Sequence, residues 1–197
     1  MIGLSELDAV NIVLLAAAEA PVHSLADANN QGLSQAALAQ DILSNELRQL
    51  QSRGWSWNTD RDISLTPDAN NHFPIPGDSL LVELSVEGTR SNVIVRNGLL
   101  YDRNKQTYEL GGNSYKVLKI VYELPYDEVP YPAQYLAAWE AAVTYTGSYL
   151  GTNTPSYVNA VVKRDSANEA LMLDEHRRMP RNMHPHNSPS RFSYSRY

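Results

Sequence analysis

Cysteine is absent from the 197 residues. That excludes a disulfide framework, a thiolate metal centre, a CxxC redox pair and a cysteine nucleophile. No run approaches the roughly 18 uninterrupted apolar residues of a membrane-spanning helix, so no contact with a membrane is expected. The opening MIGLSELDAV places acids where a secretory leader needs bases, and no such leader is expected. The phosphate-cradling patterns GxGxxG and GxxxxGK[ST] do not occur, nor do the zinc pattern HExxH and the serine-hydrolase elbow GxSxG. No internal repeat of about 20–50 residues is present. Phenylalanine is scarce, with 2 residues against 12 tyrosines. The sequence therefore predicts neither an enzyme nor a bound cofactor or metal.

What is present describes a folded chain with a divided charge. Hydrophobic residues make up 43% and charged residues 19%, the balance of a globular protein. The formal net charge of −6 is unevenly spread. Residues 1–175 hold all 22 acids and 11 of the bases, a net −11, whereas residues 176–197 hold five arginines and no acid. That final stretch, rich in Pro, Ser, Asn, His and Arg, lacks the aliphatic residues to form a core of its own.

Periodicity predicts helices at both ends and strands between. Ser5 with Asp8 three residues on marks a helix start, followed by Leu7, Val10, Leu14 and Ala17 at helical spacing, with Pro21 as the expected stop. A second helix is predicted from Ser34, with Ala36, Ala39, Leu43, Leu47 and Leu50 as its stripe and Gly54 at its end. Ile63 and Leu65 alternate with polar residues, and Leu80 to Leu124 reads as antiparallel sheet. Turns are expected at Glu87-Gly88, Asn97-Gly98 and Gly111-Gly112, with a long strand over 115–124. Pro125, Pro130 and Pro132 lead back to helix, with Leu136, Trp139, Val143 and Leu150 as the stripe and Gly151 as the stop. Thr154-Pro155 opens a last helix expected to bury Val158, Val161, Val162, Ala170, Leu171 and Leu173, and KRDSANE within it is expected to project from the core. The predicted architecture is α+β: a four-helix bundle formed by residues 1–56 and 130–175, an inserted antiparallel β-domain over 57–129, and an extended basic arm over 176–197.

Few residues offer chemistry. Asp60/Asp62 and Asp127/Glu128 are the carboxylate pairs that a glycan hydrolase would need, although acids beside turns are ordinarily just solvated. His23, His72, His176, His184 and His186 lack metal-ligand spacing. Eight of the tyrosines lie between Tyr115 and Tyr157, which suits either half-exposed contact surfaces or the rim of a core. Trp139 is expected in the core, while Arg53, Trp55 and Trp57 are expected at the junction between bundle and sheet. In the arm, Arg177, Arg178, Arg181, Arg191 and Arg196 with Phe192, Tyr194 and Tyr197 could meet an acidic protein partner, or bind DNA non-specifically through phosphate contacts and stacking.

The words AVNIVLLAAAEAPV and LQSRGWSWNTD are the most specific in the chain. With GLLYDRNKQTYEL and YDEVPYPAQYLAAW, in that order, they make residues 4–175 resemble the tail tubular protein A family, the head-to-tail adaptors (gatekeepers) of short-tailed, podovirus-type phages. The resemblance implies a structural virion protein that is made in the host cytoplasm and forms a ring, typically of twelve copies. The ring would sit between the portal and the nozzle, tail tubular protein B. Its helices would face the portal and its β-domain the nozzle and tail fibres, with genomic DNA passing through the lumen. Arg53, Trp55 and Trp57 match the family word, and the portal is the implied partner of the basic arm. One departure is Ala18-Glu19-Ala20-Pro21, where family members often carry Gly; helix termination is therefore expected to rest on Pro21.

Overall fold

A computed structural model describes residues 3–26, 34–84 and 92–178. Among the described residues the fold is α+β, with four long helices and two small antiparallel sheets. Helix α1 spans Glu6–Ala16. Ser5 caps it, its Oγ accepting the Asp8 amide at 3.1 Å and donating to Asp8 Oδ2 at 2.6 Å, which satisfies an otherwise orphaned donor of the first turn. Pro21 does not end α1. The chain leaves the helix earlier, at Ala17–Ala18, where Ala18 takes φ 60°. The amides of Ala18 and Glu19 donate back to the carbonyls of Leu15 and Leu14 at 3.1 and 2.9 Å. That paired bonding is a Schellman closure with alanine at the position glycine usually fills.

Helix α2, Ser34–Ser52, buries the expected Ala36, Ala39, Leu43, Leu47 and Leu50. Gly54 follows it with φ 76°. The left-handed backbone favours glycine there, and a Cβ would also press on Val121 Cγ2 at 3.0 Å and on the flexible end of Lys119 at 2.9 Å.

Helix α3, Tyr131–Tyr149, carries Pro132 in its first turn as expected but has a different stripe. Leu136 is buried, together with Ala133, Ala137, Ala138, Ala141, Ala142 and Tyr145. Trp139 and Val143 lie half-buried at the edge of the core, and Leu150 is exposed. The reason is position: α3 packs against α1, α2 and the last helix. A helix contacted on several sides needs small residues that allow close approach.

Helix α4, Pro155–Arg178, opens with the Tyr157 amide donating to Thr154 Oγ1 at 3.3 Å. Leu171 is buried as expected, but the rest of the expected pattern is overturned. Ala160, Ala167, Leu171 and Glu175 face inward; Val158, Val162, Ala170 and Leu173 are exposed, and Val161 is half-buried. KRDSANE does not project, because Ala167 within it is buried against the core. The helix also continues through His176, Arg177 and Arg178, past the expected start of the arm.

Between α2 and α3 lie β1 Thr59–Leu65, β2 Ser79–Leu84, β3 Val93–Arg96, β4 Leu99–Asp102 and β5 Tyr115–Tyr122. The strands form two sheets instead of one: β1-β5-β2, with the long β5 central, and the hairpin β3-β4. Asn97 and Gly98, at φ 53° and 70°, make the hairpin turn that their sequence predicts. The Glu87-Gly88 turn lies outside the described residues. The sheet and hairpin close a separate core around Phe73, Leu100, Val117 and Ile120, distinct from the one shared by the helices.

Candidate functional site

The residues singled out for catalysis stay apart from any reactive grouping. Asp60 and Asp62 are exposed on β1, and Asp127 and Glu128 are exposed in a short 3-10 turn before α3. None of these four carboxylates makes a hydrogen bond or ion pair among the described residues. His23 and His176 are exposed. His72 lies 4.0 Å from Asp68, whose carboxyl is held low first by the His72 amide that it accepts. Among the described residues, no three His, Asp or Glu side chains group to hold a metal ion, and no helix is long and apolar enough to cross a membrane.

Where helices meet sheet, the chain forms a buried polar clasp that the sequence did not signal. Gln51, on the last turn of α2, donates through Nε2 to the Leu124 carbonyl at 3.1 Å and accepts the Leu124 amide at 2.7 Å. It thereby acts as a strand neighbour to the chain leaving the sheet. Asn58 Nδ2 donates to the carbonyls of Gln51 and Tyr122, both at 2.9 Å, and Asn58 Oδ1 accepts the Trp55 amide at 2.8 Å. Both amide side chains are buried, and a buried amide is tolerated only when its groups are paired in this way. Gln134 makes a similar clasp at the start of α3, accepting the Leu4 amide at 2.9 Å and donating to the Tyr126 carbonyl at 2.8 Å.

Trp55 is buried in the helical core, its Nε1 donating to the Leu50 carbonyl at 2.7 Å, while Trp57 packs partly buried against the same core. Arg53 lies 3.2 Å from Glu140 on α3. Burial pushes the Glu140 carboxyl above the ordinary glutamate value, against the opposing pull of Arg53. Glu175, on the inward face of α4, accepts the Ser56 amide and hydroxyl, both at 2.8 Å. One signal could have revealed it: Glu175 falls four residues after Leu171, on the stripe that α4 buries.

Arg177 and Arg178 lie exposed on the last turn of α4. There they complement the negative end of the helix dipole, and Arg178 Nε reaches Asp174 Oδ2 at 2.6 Å. Arg181, Arg191, Phe192, Tyr194, Arg196 and Tyr197 lie outside the described residues. The tyrosines divide between both uses considered for them: Tyr115 and Tyr145 are buried, Tyr131 and Tyr149 exposed. Tyr131 stacks on Tyr135, which meets Trp139 edge-on, a ladder of rings along one edge of α3.

The arrangement is that of a scaffold with tied junctions and large outward-facing side chains. No curated protein matches the chain. A family model described as Tail tubular protein matches residues 7–182. The match runs past Glu175, where the resemblance was expected to stop, and includes Arg177, Arg178 and Arg181.

Proposed function

We propose an adaptor role from one premise: the chain belongs to the tail tubular protein family of phages. A member of that family is a structural component of a phage tail, and hence of the virion. Within that class, the chain is the gatekeeper that joins the portal to the nozzle, tail tubular protein B, in a short-tailed phage. It works as a closed ring of copies, twelve in the form the family resemblance implies, with DNA leaving the head through the lumen. The four helices act as one bundle, residues 1–56 and 130–175, facing the portal. Residues 57–129 act as an inserted unit facing the nozzle and tail fibres.

The family match, spanning nearly the whole chain, carries this reading. Physical features support it. The body of residues 1–175 has a net charge of −11, and a wall of like charge does not hold the duplex during ejection. The arginines of the final segment suit an acidic surface on the portal. Mixing purified protein with portal rings and weighing the products by native mass spectrometry tests the proposal. A discrete complex with one ring of this chain per portal is expected; separate species at every salt concentration tried would overturn it.

A further inference from the structure

Glu175 is the last acid of the chain and the last described residue of α4 to be buried. His176, Arg177 and Arg178 after it are all exposed. The boundary between acidic body and basic segment is therefore also a boundary in packing. The carboxylate runs against its setting. It stands on the last turn of the helix, where the dipole favours cations, and among the described residues no cation pairs with it. An aliphatic residue there would extend the stripe of Ala160, Ala167 and Leu171 without burying a charge. What the carboxylate adds is two directed bonds, one oxygen accepting the Ser56 amide and the other the Ser56 hydroxyl, each at 2.8 Å.

The receiving end is firmly held. Ser56 sits between Trp55 and Trp57, both packed in the helical core. Trp55 is tied by its indole to the Leu50 carbonyl and by its amide to Asn58. The distinctive word Trp55-Ser56-Trp57 thus presents one amide and one hydroxyl from anchored backbone, where helices give way to sheet. Helix α3 leaves that junction, its Gln134 bonded to Leu4 and Tyr126, and α4 returns to it at Glu175. The inward face of α4 does little to fix its own register, because Ala160 and Ala167 are small and offer no knob for a matching hole. Two bonds of defined direction supply that register, setting both how far the helix slides and how it turns.

We infer that the Ser56–Glu175 tie fixes the point and direction in which the basic segment leaves the body, which makes Glu175 a positioning residue for portal docking. This rests on the portal reading above and names the device that aims the segment. Residues 179–197 can span roughly 60 Å when extended, against about 36 Å for α4. A segment rooted at the junction can therefore reach either end of the helices. A tethered segment meets its target at an effective concentration set by where its root lies. Freeing the last turn of α4 spreads the arginines over a larger volume and lowers that concentration. Where several copies dock together, a modest loss in each is multiplied.

The test breaks the tie and follows the segment. E175A and S56A are prepared in the full chain and in a chain ending after Arg178, with circular dichroism to confirm folding. In E175A, hydrogen exchange is expected to quicken at least tenfold at the Ser56 amide and along the last turn of α4, with protection elsewhere kept. Co-sedimentation with portal rings is expected to weaken at least tenfold in full-length E175A and about threefold in S56A, which loses only the hydroxyl bond. Self-assembly should not change. E175Q keeps an oxygen for the Ser56 amide and should dock like the wild type. In the shortened chain, neither E175A nor S56A should weaken docking beyond the shortening itself; if E175A does not fold, S56A carries the comparison. Undiminished docking with a freed end of α4 would overturn the inference. An equal further loss in the shortened chain would also overturn it, making Glu175 a support of the body alone. Lost docking in E175Q with the Ser56 amide still protected would assign the effect to charge, against the inference. A shortened wild-type chain that docks at full strength would overturn the role of the segment and this inference with it. Wild-type protein that never binds portal would overturn the adaptor reading itself.

Discussion

Ala18 closes α1 in a left-handed conformation, φ 60°, that disfavours a Cβ by about 1–2 kcal/mol. It is exposed, so no packing would be lost with its methyl group. Glycine relieves the penalty but gains freedom in the unfolded chain, which takes back about 0.4–1 kcal/mol. Ala18→Gly is therefore expected to stabilise the protein by roughly 0.5–1 kcal/mol, read as a higher urea midpoint at unchanged slope. At Glu140 the relevant quantity is the proton. Burial raises its pKa in the folded state while Arg53 draws it down, so the folded protein holds that proton more tightly than the unfolded chain does. Its contribution to stability is greatest below the ordinary glutamate value and is lost as pH rises through the raised one. Glu140→Gln should flatten the decline in stability between mildly acidic and neutral pH. Denaturation series at several pH values check this, and an unchanged slope in the variant would place the titration elsewhere.

Among the elements, α2 and the β3–β4 hairpin were the most legible in the sequence. Helix α2 has one buried side, so its stripe reads directly from Ala36 to Leu50, and Asn97-Gly98 admits few backbone conformations besides the turn it makes. Helix α4 departs from its hydrophobic pattern because its inward face is set by fit to α3. Ala160 and Ala167 are chosen for size, while Val158 and Val162, more apolar, point outward. The sites followed the same divide. Arg53, Trp55 and Trp57 are legible as an unusual word, but Gln51 bonds Leu124 across 73 residues and Asn58 bonds Tyr122 across 64, and no local pattern announces partners that far away. If α4 is placed by close approach, Ala167→Leu should cost about 1–3 kcal/mol through overpacking. The chemically similar change Ala170→Leu, at an exposed position of the same helix, should stay within about 0.5 kcal/mol. Thermal unfolding of both variants makes the comparison.

For the whole molecule, the division of charge sets the experiment. Ending the chain after Arg178 keeps all of α4 and removes Arg181, Arg191 and Arg196. Under the adaptor reading this truncation should weaken portal docking at least tenfold, measured by co-sedimentation with portal rings, while self-assembly persists. Were the segment a DNA-binding arm instead, the loss would appear as a steeply salt-dependent affinity for duplex DNA. The central place of α3 has a further consequence, one of timing. Helices α1 and α2 complete their core only against α3, which begins at Tyr131, whereas α2 ends at Ser52. At about 5–20 residues per second, a ribosome needs roughly 4–16 seconds to make the intervening chain. Throughout that interval the first two helices have only each other to cover their apolar stripes. Each copy thus passes through a nascent stage in which incompletely covered apolar surface can stick to its neighbours on the same messenger.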